Sequence, residues 1–167
     1  GMGKGVETAF RLSDRVILLV APSWSSRRNA DRLLPLIGKG KIWKYVLNRF
    51  TAKEGSGLSF QEVYDTLDEE SFGGVIPYSI MADRLGNRGE IAEFREKSAY
   101  GRALYDVLRC LLKDKDIPAA RWLSSLRLSD RENEEETESK NDRNKRTERA
   151  GLSWHSSSSA YKWRRRR

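Results

Sequence analysis

The chain has 167 residues with 32 Lys and Arg against 24 Asp and Glu, a formal net charge of +8. That is room for one domain and some surplus, and the excess of cations favours anionic partners. Its single cysteine, Cys110, excludes an internal disulfide framework and a Cys-rich metal site. With one histidine, His155, in a serine-rich stretch, no Ser/His/Asp set can be assembled. The longest apolar run, Val16 to Ala21, is strand-sized and far short of the roughly 18 residues of a membrane helix. A reducing, cytoplasmic setting is expected.

Val16–Ala21 is bounded by Asp14-Arg15 and Pro22-Ser23 and reads as a strand buried on both faces. Ser25 then caps a helix over 25–37 whose Ala30, Leu33, Leu34 and Ile37 share a face, with Pro35 bending its last turn. A second strand is expected over 43–49. Ser59-Phe60-Gln61-Glu62 is a capping box, and Phe60, Val63, Tyr64 and Leu67 give the helix over 59–68 an apolar face. Gly73 and Gly74 open a third strand over 74–77, ended by Pro77. Met81 to Gly89 holds too much Gly, Asn and Arg to mark an element. The helix over 98–113 has Ala103, Leu104, Val107, Leu108, Leu111 and Leu112 at helical spacing, with Cys110 near the apolar face.

Strands alternating with helices predict an α/β fold with a parallel sheet flanked by helices. Three segments are expected: a flexible start over 1–11, the α/β domain over 12–125, and a disordered tail over 126–167. The tail passes through an acidic block at Glu132–Glu138, a mixed stretch, Ser156–Ser159 and Arg164–Arg167, with few apolar residues to offset the entropy of ordering.

The ordered set of segments resembles a known family. Asp14 to Ser23, Ser26-Arg27-Arg28-Asn29-Ala30, Val46-Leu47-Asn48-Arg49-Phe50, Val75-Ile76-Pro77-Tyr78 and the long final helix are similar to the C-terminal half of a ParA/MinD-type P-loop ATPase. Within that group the resemblance is greatest to the CpaE/TadZ-like pilus-assembly branch, and it covers residues 12 to 112. It implies a bacterial protein that places a pilus machine, plasmid or other cargo, with ATP and magnesium as cofactors and a homodimer or a protein cargo as partner. Members carry a glycine-rich phosphate loop with a lysine, followed by an Asp-containing switch. Met2-Gly3-Lys4-Gly5-Val6-Glu7-Thr8 lacks the G-x-x-x-x-G-K-[ST] spacing. The chain therefore reads as a truncated product or a piece of a longer ATPase, unable to hydrolyse ATP alone. The alternative is a non-catalytic α/β binding protein that docks a protein partner or nucleic acid.

The resemblance assigns Asn48 to the adenine ring, which an amide suits because it both donates and accepts; the plainer reading is a turn or cap. Pro77 and Tyr78 either line the base pocket or simply end the strand. Arg49 either covers the base or is solvated. Lys162 and Arg164, Arg165, Arg166 and Arg167, with Tyr161 and Trp163 interleaved, are the candidates for weak nucleic-acid binding. Arg84, Arg88, Arg95, Lys97 and Arg102 read as a solvated face interleaved with Asp83, Glu90, Glu93 and Glu96.

Overall fold

In a computed structural model of the chain, three parallel strands form one sheet in the order β1-β2-β3: β1 Arg15–Val20, β2 Ile42–Phe50 and β3 Phe72–Pro77. The structure describes residues 3–37, 41–53, 57–66, 71–90, 97–113 and 117–149. Around the sheet lie α1 Lys4–Leu12, α2 Trp24–Leu33 followed by a tight 3-10 turn at Leu34–Leu36, α3 Phe60–Tyr64, α4 Ile80–Arg88, α5 Ala99–Lys113 and α6 Ala119–Arg149. The expected strands, their parallel pairing and flanking helices are present, but the helix expected over 59–68 spans Phe60–Tyr64, and residues 67 and 68 lie outside the described residues. None of the described helices is long and apolar enough to cross a membrane.

Local chemistry sets the helix starts. Ser59 and Glu62 complete the capping box of α3, with the Ser59 amide donating to Glu62 at 2.7 Å and the Glu62 amide to Ser59 Oγ at 3.1 Å. The cap of α2 is Ser23, not Ser25, because Ser23 Oγ accepts from the Ser26 amide at 3.2 Å. Pro35 falls in the 3-10 turn, where the α-helix has already ended.

The core lies on the sheet. Val20, Val46, Leu47, Phe50 and Val75 are fully buried, Trp122 nearly so, and Trp122 meets Phe72 edge-on at 6.1 Å. Gly74 sits at φ 127° where pairing skips Gly73, and a Cβ there would stand 2.7 Å from Val107 Cγ2 and 2.8 Å from the Trp122 ring. Only glycine lets α5 and Trp122 lie so close to β3.

Four further expectations are corrected. β1 is not buried on both faces: Val16, Leu18 and Val20 are buried, but Ile17 and Leu19 are 50% and 60% exposed. A continuous apolar run reports composition, not neighbours, and β1 is an edge strand. Residues 4–12 are helical rather than a flexible start, and the Lys41 ammonium closes the C-terminal end of α1 by donating to the Arg11 carbonyl at 2.8 Å and to those of Phe10 and Ser13. Residues 80–88 form α4, capped by Ser79 and ended by Gly89 at φ 73°. Disorder does not begin at 126, because α6 continues to Arg149.

The chain divides into two compact units, Gly1–Glu134 and Glu135–Arg167. In the first, Trp122, Leu126, Ser129 and Asp130 of α6 are buried. In the second, residues 137–146 are exposed along the helix. Strong helix formers, with Glu136–Lys140 and Asp142–Arg146 four apart in the sequence, favour helix there without a core.

Candidate functional site

Open parallel sheets present their functional residues at the carboxyl ends of the strands. There the central strand β2 carries Asn48, paired in register with Ile76 of β3. Asn48 is half-buried, and its side-chain amide has no hydrogen-bond partner among the described residues.

Arg49 leaves the ladder. Pairing passes from Asn48–Ile76 to Phe50–Pro77, and Arg49 is the bulged residue between them, with φ at 63°. Among the described residues it is the sole non-glycine with positive φ, a conformation costing about 1–2 kcal/mol. Two contacts hold it. Its guanidinium forks onto Asp83 of α4 at 2.7 and 3.0 Å, and it lies over the Tyr78 ring at 5.0 Å. The hydrogen bond to Asp83 raises the Arg49 pKa, while burial, and then the Asp83 charge, raises that of the Tyr100 phenol. Arg49 remains a cation and Tyr100 a neutral phenol throughout the physiological range.

Pro77 is fully buried and pairs with Phe50, and the Tyr78 amide donates to the Phe50 carbonyl at 2.7 Å. The four sequence candidates thus gather at one rim: Asn48 half-buried, Arg49 stacked on Tyr78, and Pro77 packed inside as part of the wall. Lys162 and Arg164–Arg167 lie outside the described residues.

One face of α6 supports this rim. Ser129 Oγ and Asn133 Nδ2 both donate to the Tyr78 carbonyl, at 2.7 and 2.9 Å. Asn133 Oδ1 accepts from the Ile80 amide at 2.9 Å. Asp130 accepts from the Ala52 amide at 2.8 Å and from the Thr51 hydroxyl, three and two residues beyond Arg49. Glu132 accepts from the Ala99 amide at 3.0 Å, at the start of α5. Reading 126–167 as disordered passed over these residues. A signal for them was present: Trp122, Leu126, Ser129 and Asn133 recur at helical spacing ahead of the acidic block. Two grooves also lie along α5 and α6, of about 700 Å³ beside Arg102 and Leu108 and about 410 Å³ beside Leu123 and Leu128, and neither is lined by the rim residues.

No protein-family model matches the chain. The septum site-determining protein MinD of Buchnera aphidicola is 31% identical in an alignment 125 residues long that covers 67% of this chain and 46% of that protein. In the MinC:MinD cell division complex of Aquifex aeolicus, one chain superimposes with a TM-score of 0.61 at 31% identity, covering 73% of this chain and 51% of that one. The Aquifex aeolicus MinD structure gives 0.58 at 31% identity, covering 71% and 51%. The chain is of the ParA/MinD type. It spans about half the length of the relatives it matches.

Proposed function

We propose that the rim of Asn48, Arg49 and Tyr78, walled by Pro77, is the base-recognising side of an adenine-nucleotide site, in a protein that places a cargo within the cell. The Asn48 amide carries this reading. It stands at the end of the central strand with donor and acceptor both unengaged among the described residues, as the edge of an adenine ring requires. The cationic Arg49 over the Tyr78 ring supplies a flat surface beside it. A placement role accords with the septum-site name of the Buchnera relative; the resemblance to the pilus-assembly branch points to a pilus machine or plasmid as cargo.

The phosphate side does not fit as well. The sequence contains no G-x-x-x-x-G-K-[ST] spacing. Phosphoryl transfer depends almost wholly on positioning and charge neutralisation at the phosphates. This chain alone therefore binds the base weakly and releases no phosphate. Titration with Mg-ATP, Mg-GTP and adenosine tests it. The expected result is weak, adenine-selective binding, lowered about tenfold by Asn48→Ala, with phosphate release at the level of buffer. Equal binding of guanine nucleotides, or an unaffected Asn48→Ala, would overturn the reading.

Two partner proposals accompany it. The unpaired edge of β1 and the exposed Ile17 and Leu19 on its open face support self-association. The run Lys162 and Arg164–Arg167 supports weak, sequence-independent nucleic-acid binding, lost on raising salt from about 50 to 200 mM.

A further inference from the structure

The solvent face of α5 is cationic and apolar at once. From Lys97 to Lys113 the sequence holds one carboxylate, Asp106. It is 1% exposed, gripped by Arg121 with Nη2 to Oδ1 at 2.7 Å and flanked by Arg109 at 3.8 Å. Within this segment, therefore, no exposed acid stands between Arg102 and Arg109. Between the cations stand Tyr105, Leu108 and Leu112, which are 60%, 52% and 68% exposed. Their spacing of three and four residues makes one stripe about 10 Å long.

This stripe borders a groove of about 700 Å³ in which Lys97, Arg102 and Arg121 surround Gly101, Tyr105 and Leu108. We propose that the groove binds an acidic amphipathic helix of a protein partner. Such a helix would lay apolar residues spaced i, i+3 or i+4, i+7 against Tyr105, Leu108 and Leu112, and turn its carboxylates toward Lys97 and Arg102. Charge complementarity selects the occupant: the buried Asp106 is already satisfied within the fold, so the remaining cations face outward. Leucines at the centre of the stripe would desolvate a phosphate backbone without pairing it, which disfavours nucleic acid. A concave groove also suits an inserted helix better than a flat lipid surface. The proposal is independent of nucleotide binding at the rim.

The test uses the full chain and a synthetic peptide of about 20 residues, longer than the 12–15 or so below which isolated helices are marginal. It carries Leu at i, i+4 and i+7 with Glu on both flanks, and a twin replaces Glu with Lys. The acidic peptide is expected to bind in a salt-sensitive manner and the Lys twin not to bind. Leu108→Glu and Arg102→Glu, both at exposed positions, should each weaken binding about tenfold with unchanged circular dichroism, and Arg102→Glu should gain affinity for the Lys twin. No binding of either peptide, equal binding of both, or indifference to Leu108→Glu overturns the proposal. So does binding of phosphatidylserine vesicles or single-stranded DNA that Leu108→Glu abolishes, which would assign the stripe to that surface instead.

Discussion

Asn133 closes the connection between β3 and α4 with one side-chain amide: its Nδ2 donates to the Tyr78 carbonyl and its Oδ1 accepts from the Ile80 amide, both at 2.9 Å. Two backbone groups two residues apart are thereby satisfied from a helix more than fifty residues away in sequence. The neighbouring Ser129 shares the same carbonyl, so that group keeps a partner if Asn133 is lost and the Ile80 amide does not.

Asn133→Ala should accordingly destabilise the chain by about 1–2 kcal/mol, the cost of a half-buried donor left unpaired. The loss should appear in urea denaturation and as faster amide exchange at Ile80. Ser129→Ala gives up only one of the two donors to the Tyr78 carbonyl and leaves the Ile80 amide paired, so it should cost less. Equal costs would mean that the bond to Ile80 adds nothing.

The second prediction concerns Asp106, whose carboxylate is buried on α5 under Arg121 of α6. Removing one partner of a buried ion pair typically costs about 3–5 kcal/mol because the other charge is left uncompensated. Arg109 remains within 3.8 Å, so Arg121→Ala should cost about 2–3 kcal/mol, below that range. Replacing both partners, as Arg121→Met with Asp106→Leu, should recover most of the loss in the same urea measurement. A single-variant cost under about 1 kcal/mol would show that Arg109 takes over the pairing.

A third follows from the capping box. The Glu62 carboxylate accepts from the Ser59 amide, and that hydrogen bond holds its pKa below the ordinary value. A depressed folded-state pKa contributes stability that is present above the unfolded pKa and lost as pH falls through the folded one. The start of α3 should therefore loosen only in acid, below the ordinary carboxylate range. Glu62→Gln keeps an acceptor but cannot titrate. Its exchange rates at Ser59 and Glu62 should show a weaker acid dependence than those of the unaltered chain; an identical pH profile would remove Glu62 from the account.

How much of this was legible beforehand depends on where the information sits. Apolar runs and the Ser59–Glu62 box are local signals, and they yielded three parallel strands and the α3 start. The rim residues followed from the order of segments, since Asn48 and Tyr78 sit directly at strand ends. Contacts from afar were not legible. The Lys41 ammonium that ends α1 lies about thirty residues away, and the α6 face that holds the rim lies behind a composition that reads as disorder. α4 was missed because Gly86 and Asn87 weaken its interior, although Ser79 and Gly89 mark both its ends. The bare face of β1 could not be read at all: burial of a strand depends on what packs over it, and Ile17 and Leu19 look no different in sequence from Val16 and Leu18.

The final prediction separates strain from pairing at Arg49. Its positive φ is the conformation that glycine adopts freely and other residues adopt at about 1–2 kcal/mol. Its ion pair with Asp83 is exposed on both sides, with side chains 52% and 39% accessible, and such pairs contribute no more than about 1 kcal/mol. Arg49→Gly loses the pair but relieves the strain, so stability should stay within about 0.5 kcal/mol of the parent after the added freedom of the unfolded chain is counted. Arg49→Ala loses the same pair and keeps the strained backbone, so it should be less stable than Arg49→Gly by about 1 kcal/mol. Thermal and urea unfolding of the two variants measure that difference directly. If alanine proves as stable as glycine, the bulge carries no strain that glycine relieves.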